Sequence, residues 1–96
     1  MKIFLDTIGC RLNQSEIETM ARQFRAAGHE IVATADSADM AVVNTCAVTN
    51  EAASDSRGRI RQIARAGVSE IVATGCWTTL YPKQAGELPN VLHVVT

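Results

Sequence analysis

Met40-Ala41-Val42-Val43-Asn44-Thr45-Cys46 decides how this chain is read. The run is apolar at consecutive positions rather than alternate ones. That is the pattern of a strand covered on both faces, and such strands belong to parallel sheets. Two runs of the same build flank it, Lys2-Ile3-Phe4-Leu5-Asp6-Thr7-Ile8-Gly9-Cys10 and Glu70-Ile71-Val72-Ala73-Thr74-Gly75-Cys76. Each ends in a turn-forming pair and a cysteine.

Working outward, strand and helix patterns alternate. Strands are expected at Lys2–Asp6, Glu30–Ala33, Met40–Asn44, Glu70–Thr74 and Val91–Val95. A helix is expected over Asn13–Ala27, where Ile17, Met20, Ala21 and Phe24 recur on one face. Ser15 with Glu18 fits a capping box, and Asn13 is the other candidate cap. Gly28 is placed to stop this helix. Thr34–Asp39 reads as a polar connection. A second helix starts from Thr49 or Asn50 and runs to Ala66, with Ala53, Ile60, Ile63 and Ala64 as its apolar stripe and Gly67 ending it. A short helix is expected at Pro82–Leu88. The rhythm gives an α/β fold, a three-layer sandwich on a mostly parallel five-stranded sheet. Right-handed crossovers make the first, third and fourth strands neighbours, in the flavodoxin-like order 2-1-3-4-5.

The chain has 96 residues, 47% of them hydrophobic and 20% charged, with a net charge of -1. This is one soluble domain with no global bias toward nucleic acid. No apolar run approaches the roughly 20 residues that span a membrane. The N-terminus reaches Asp6 too early for a secretory signal, so the cytoplasm is the expected compartment. Three cysteines close no disulfide framework, and reduced thiols are expected there.

One cysteine at a strand end is ordinarily a small buried hydrophobe. Three at matching places are a different matter, because the carboxyl ends of parallel strands are where open α/β folds bind ligands. Three convergent thiolates suit a soft metal or an iron–sulfur cluster. The spacings, 36 positions from Cys10 to Cys46 and 30 from Cys46 to Cys76, match no compact zinc or ferredoxin pattern, so the repeated context carries the reading. Gly9 and Gly75 allow a tight turn, and before Cys46 that place falls to Asn44 and Thr45, Asn tolerating the left-handed region. The helix starts after Cys10 and Cys46 would favour thiolate. Three ligands leave a cubane cluster one open iron, which points to reactivity. Ligation requires sulfurs about 6–7 Å apart, converging in a shallow exposed depression.

Other cysteine chemistries fit less well. A phosphatase loop needs an arginine six residues after its cysteine, and that place is Glu16. A receiver domain has an aspartate like Asp6, but the third strand here ends in Cys46 and the fifth offers no lysine. A metal-free thiol carrier or protein-interaction domain stands as the alternative.

Thr7-Ile8-Gly9-Cys10-Arg11-Leu12-Asn13-Gln14-Ser15-Glu16 resembles the opening motif of the radical-SAM methylthiotransferases. Asn44-Thr45-Cys46-Ala47-Val48-Thr49 resembles their second motif and Thr74-Gly75-Cys76 their third. The whole chain, 1–96, is similar to the N-terminal domain of that family, and most similar to the branch acting on tRNA N6-threonylcarbamoyladenosine beside the anticodon. The resemblance implies an auxiliary [4Fe–4S] cluster on Cys10, Cys46 and Cys76, whose open iron carries the sulfur of a methylthio group destined for C2 of the nucleoside. It implies two further domains. One is a radical-SAM domain with a second [4Fe–4S] cluster on a Cys-x3-Cys-x2-Cys motif that cleaves S-adenosylmethionine. The other is a C-terminal RNA-binding module. That motif does not occur in this sequence, so the chain is expected to be one domain of a longer transferase and inactive alone.

Arg57, Arg61 and Arg65 share a helix face, either solvated or set against tRNA phosphates or a partner domain. Asp55 and Arg59 form an i, i+4 pair. Trp77 could shield a cluster, stack on a base or simply be partly buried. Asn13 could cap its helix or support the cluster. Gly58, inside a helix, suggests close packing. His29 and His93 are given no ligand role.

Overall fold

Parallel neighbours cannot be joined by a tight turn and need a crossover, usually a helix. The computed structural model describes residues 1–8, 11–46 and 49–95, and only the backbone of 11–14. In it β1 (Lys2–Thr7) leads through α1 (Arg11–Ala26) to β2 (Glu30–Val32). A 3-10 turn at Ala35–Ser37 precedes β3 (Met40–Thr45), and α2 (Asn50–Arg65) crosses to β4 (Ile71–Gly75). Two short helices, α3 (Cys76–Leu80) and α4 (Pro82–Glu87), then lead to β5 (Val91–Val94). The sheet order is β2-β1-β3-β4-β5, and every pairing is parallel. The expected order therefore holds, and the sheet is parallel throughout.

Successive side chains on a strand point to opposite faces, and both faces are covered. Ala41, Val43, Ile71 and Ala73 pack with Ile60 and Ile63 of α2, Trp77 of α3 and Ala85 of α4. On the other face Met40, Val42 and Val72 meet Met20 and Phe24 of α1 along an apolar cleft. Helices on two faces of one sheet make three layers. β3 is its centre, buried from Ala41 through Thr45, which is why its sequence does not alternate. Burying an aliphatic side chain such as Ile60, fully enclosed, contributes about 1.5–3 kcal/mol.

Thr49 is the cap of α2, its hydroxyl accepting from the Ala52 N–H at 3.0 Å. The capping box expected at Ser15 and Glu18 is not one. α1 begins at Arg11, and Ser15 lies inside it, its carbonyl accepting from the Thr19 hydroxyl at 3.1 Å. The pattern misleads because Ser with Glu three residues on occurs equally on an exposed helix surface. The Asn13 side chain lies outside the described residues. Gly28 and Gly67 follow the two long helices as expected, both with positive φ.

α3 has no sequence signature. Its run, Cys-Trp-Thr-Thr-Leu, is short and contains two β-branched residues of modest helix propensity. A contact from another strand holds it, as described below. Gly58 packs closely against nothing: a Cβ there would meet no atom within 4 Å. Gly58→Ala should therefore stabilise the chain by about 0.5–1 kcal/mol, the propensity difference in a helix interior. A higher midpoint in urea denaturation checks this, and a lower one would show a neighbour the structure lacks.

Candidate functional site

The register of the two central strands builds the site. Thr45 of β3 lies opposite Gly75 of β4, and neighbouring strands run about 4.8 Å apart. The next residue after each is a cysteine, so Cys46 and Cys76 both follow directly on paired strand ends at the carboxyl edge. This is the edge where parallel α/β sheets bind ligands. Cys10 lies outside the described residues. α1 starts directly after it, at Arg11, and the preceding strand β1 pairs with β3 up to Thr7 and Asn44.

The two described thiols differ. Cys76 is exposed on an open cavity of about 540 Å³, whose lining includes Glu16, Thr74, Thr79, Leu80 and Val95. Cys46 is 2% exposed and belongs to the hydrophobic core, so it does not face an open depression as expected. The reason is Ser56 of α2. Its hydroxyl accepts from the Cys46 N–H at 3.1 Å. The Cys46 carbonyl at 3.2 Å and the Ala52 carbonyl at 2.9 Å both lie within reach of its proton. Cys46 is thereby held against α2. Among the described residues no three His, Cys, Asp or Glu side chains gather as a metal site.

A second polar set ties the two cysteine-bearing strands together. The Thr45 hydroxyl donates to the Thr74 carbonyl at 2.7 Å and accepts from the Thr78 N–H at 3.1 Å. The Thr78 hydroxyl lies 3.1 Å from it and 3.3 Å from the Thr74 carbonyl. Gly75, the residue before α3, has no side chain to cap that helix. Thr45 satisfies its third N–H from a neighbouring strand, which is why α3 forms. Asn44, expected to brace a left-handed turn, is instead a fully buried strand residue. Its amide donates to Glu16 of α1 at 3.1 Å, placing a carboxylate on the wall of the Cys76 cavity.

Ser56, Thr78 and the Asn44–Glu16 bond escape a search for cysteine motifs. Ser56 did leave a signal. It stands four residues before Ile60 on the buried stripe of α2, and a polar group on a core face must find a partner.

The remaining candidates resolve simply. Trp77 is 1% exposed, which closes it to base stacking in this arrangement. Arg57 lies over its ring at 5.9 Å, while Arg61 and Arg65 are exposed, so the three arginines do not act as one free face. Arg59 pairs with Asp6 of β1 at 3.0 Å. His93 contacts Glu70 at 3.2 Å, and His29 meets the Phe24 ring edge-on. No helix among the described residues is long and apolar enough to cross a membrane.

Residues 2–96 match the uncharacterized protein family UPF0004. The threonylcarbamoyladenosine tRNA methylthiotransferase MtaB of Aquifex aeolicus is 38% identical over 99% of this chain and 23% of its own length. Its namesake in Bacillus subtilis is 36% identical over 93% of the chain and 20% of its length. The ribosomal protein uS12 methylthiotransferase RimO of Roseiflexus castenholzii is 33% identical over 95% of the chain and 19% of its length. The chain thus spans about a fifth of the curated relatives it matches. With that family model matching residues 2–96, the chain belongs to the UPF0004 family.

Proposed function

We propose that this chain is the auxiliary-cluster domain of a tRNA methylthiotransferase, with Cys10, Cys46 and Cys76 as the ligands of a [4Fe–4S] cluster. The observation that supports the reading is the β3–β4 register, which pairs Thr45 with Gly75, the residues just before Cys46 and Cys76, at the edge where such folds bind ligands. Such a cluster, held by three thiolates, supplies an iron open to an exogenous sulfur. The chain's own residues do the rest. Cys76 faces the cavity. Cys46 is the enclosed ligand, and its loop is fixed by Ser56. Glu16 and Thr79 supply polar groups beside Cys76, while Leu80 and Val95 supply an apolar wall, a mixture that suits a planar, polar-edged nucleobase.

On this reading the substrate is N6-threonylcarbamoyladenosine in tRNA, modified at C2 in the cytoplasm. S-adenosylmethionine and the second [4Fe–4S] cluster belong to a radical-SAM domain outside this sequence, and this chain alone is inactive. Anaerobic reconstitution of the chain with iron and sulfide is expected to yield about four irons per chain with a thiolate-to-iron charge-transfer band. Cys76→Ala should abolish both. A wild-type chain that stays colourless and iron-free would favour the metal-free thiol domain instead.

A further inference from the structure

Cys46 and Cys76 lie 30 positions apart in sequence, and one hydroxyl connects the segments that carry them. Thr45, immediately before Cys46, is fully buried and bonds to both sides of Cys76. It donates to the carbonyl of Thr74 at 2.7 Å and accepts from the N–H of Thr78 at 3.1 Å. Thr78, also fully buried, doubles the link through its own hydroxyl. These bonds are buried away from water, where each is stronger than it would be in solvent. Gly75 brings the strands close enough for this, its backbone lying directly on Asn44 and Thr45.

We infer that Thr45 is a positioning residue that sets the separation of the Cys46 and Cys76 sulfurs. This rests on reading the two cysteines as a thiolate pair and requires no particular metal. Thr45 does not touch the bound group; it fixes the turn that presents Cys76 relative to the end of β3. Valine at this position keeps the shape and removes the hydroxyl, leaving the Thr74 carbonyl and the Thr78 N–H without it. Serine keeps the hydroxyl.

Cadmium, which binds thiolates and reports through its own charge-transfer band, measures the spacing without an iron–sulfur cluster. In a Cys10→Ser background only Cys46 and Cys76 remain. Thr45→Val is expected to weaken cadmium binding by about tenfold, because it removes the bonds to the Thr74 carbonyl and from the Thr78 N–H, each worth about threefold, and Thr45→Ser to restore it. A merely structural role would lower the denaturation midpoint in both variants' folded forms without this split in affinity. Should Thr45→Val fail to show a folded circular dichroism spectrum, Thr78→Val carries the test, with about a threefold loss expected because it removes one hydroxyl and keeps the N–H bond. Folded valine variants that bind cadmium as tightly as wild type overturn the inference, as does a wild-type pair that gives no cadmium band. Failure of iron reconstitution alongside a Thr45-dependent cadmium affinity would sink the cluster reading and leave this one standing.

Discussion

Gly75→Ala is expected to cost the chain about 3 kcal/mol or more, from backbone strain and overpacking together. Gly75 has φ 97 and ψ -170, a region essentially closed to residues with a side chain. A Cβ there would also collide with Asn44 Oδ1 and with the backbone of Thr45. Neither neighbour can move freely. Asn44 is fully buried and tied to Glu16, and Thr45 is a rung of the central strand opposite Gly75. The loss is a large part of the roughly 5–15 kcal/mol that holds a small domain folded. Urea denaturation followed by circular dichroism reads it as a strongly lowered midpoint. Gly58→Ala is the matched control, the same added methyl in open space with the opposite sign. An unchanged midpoint for Gly75→Ala would mean that the β3–β4 approach is looser than described.

Trp77→Ala should be of similar or greater size, about 3–5 kcal/mol. Trp77 is the largest fully buried side chain and the sole tryptophan. It fills the space between α3 and the β3–β4 face in the main core cluster, with the Tyr81 ring 6.3 Å away and the Arg57 guanidinium over its face. Alanine would leave a cavity bounded by a sheet that cannot collapse into it and would strip Arg57 of its ring partner. Differential scanning calorimetry checks this, with Trp77→Phe falling between the two. A loss below about 1 kcal/mol would show that the site collapses and that α3 is not locked to the sheet.

The strands were legible because each is an apolar run ended by turn residues, and their order followed from the handedness of crossovers. The long helices were legible from their stripes and stops. Elements held by tertiary contacts were not. α3 depends on Thr45, 33 residues before Thr78, and no window along the chain contains both. The cysteine edge was readable as topology, since matching strand ends in a parallel sheet meet at one edge. The enclosure of Cys46 was not, because it rests on Ser56 turning inward from α2. Asn44 looked like a turn residue by type alone, whereas its amide is used across to α1. In each case the deciding partner is a polar side chain on a buried face, which hydrophobic patterning treats as an interruption.

The wholly parallel sheet has a consequence for the order of events in the cell. No hairpin brings Cys46 and Cys76 together, since all of α2 lies between β3 and β4. Their encounter waits for a complete crossover, and non-local pairings of this kind form late. A zinc finger gathers its ligands from a short loop, so its metal and its fold arrive together. Here the cysteine-bearing strand ends meet only after the sheet has registered. Were the proposed cluster bound here, it would therefore be inserted late into assembled architecture, by a delivery partner that meets the folded chain rather than a nascent one.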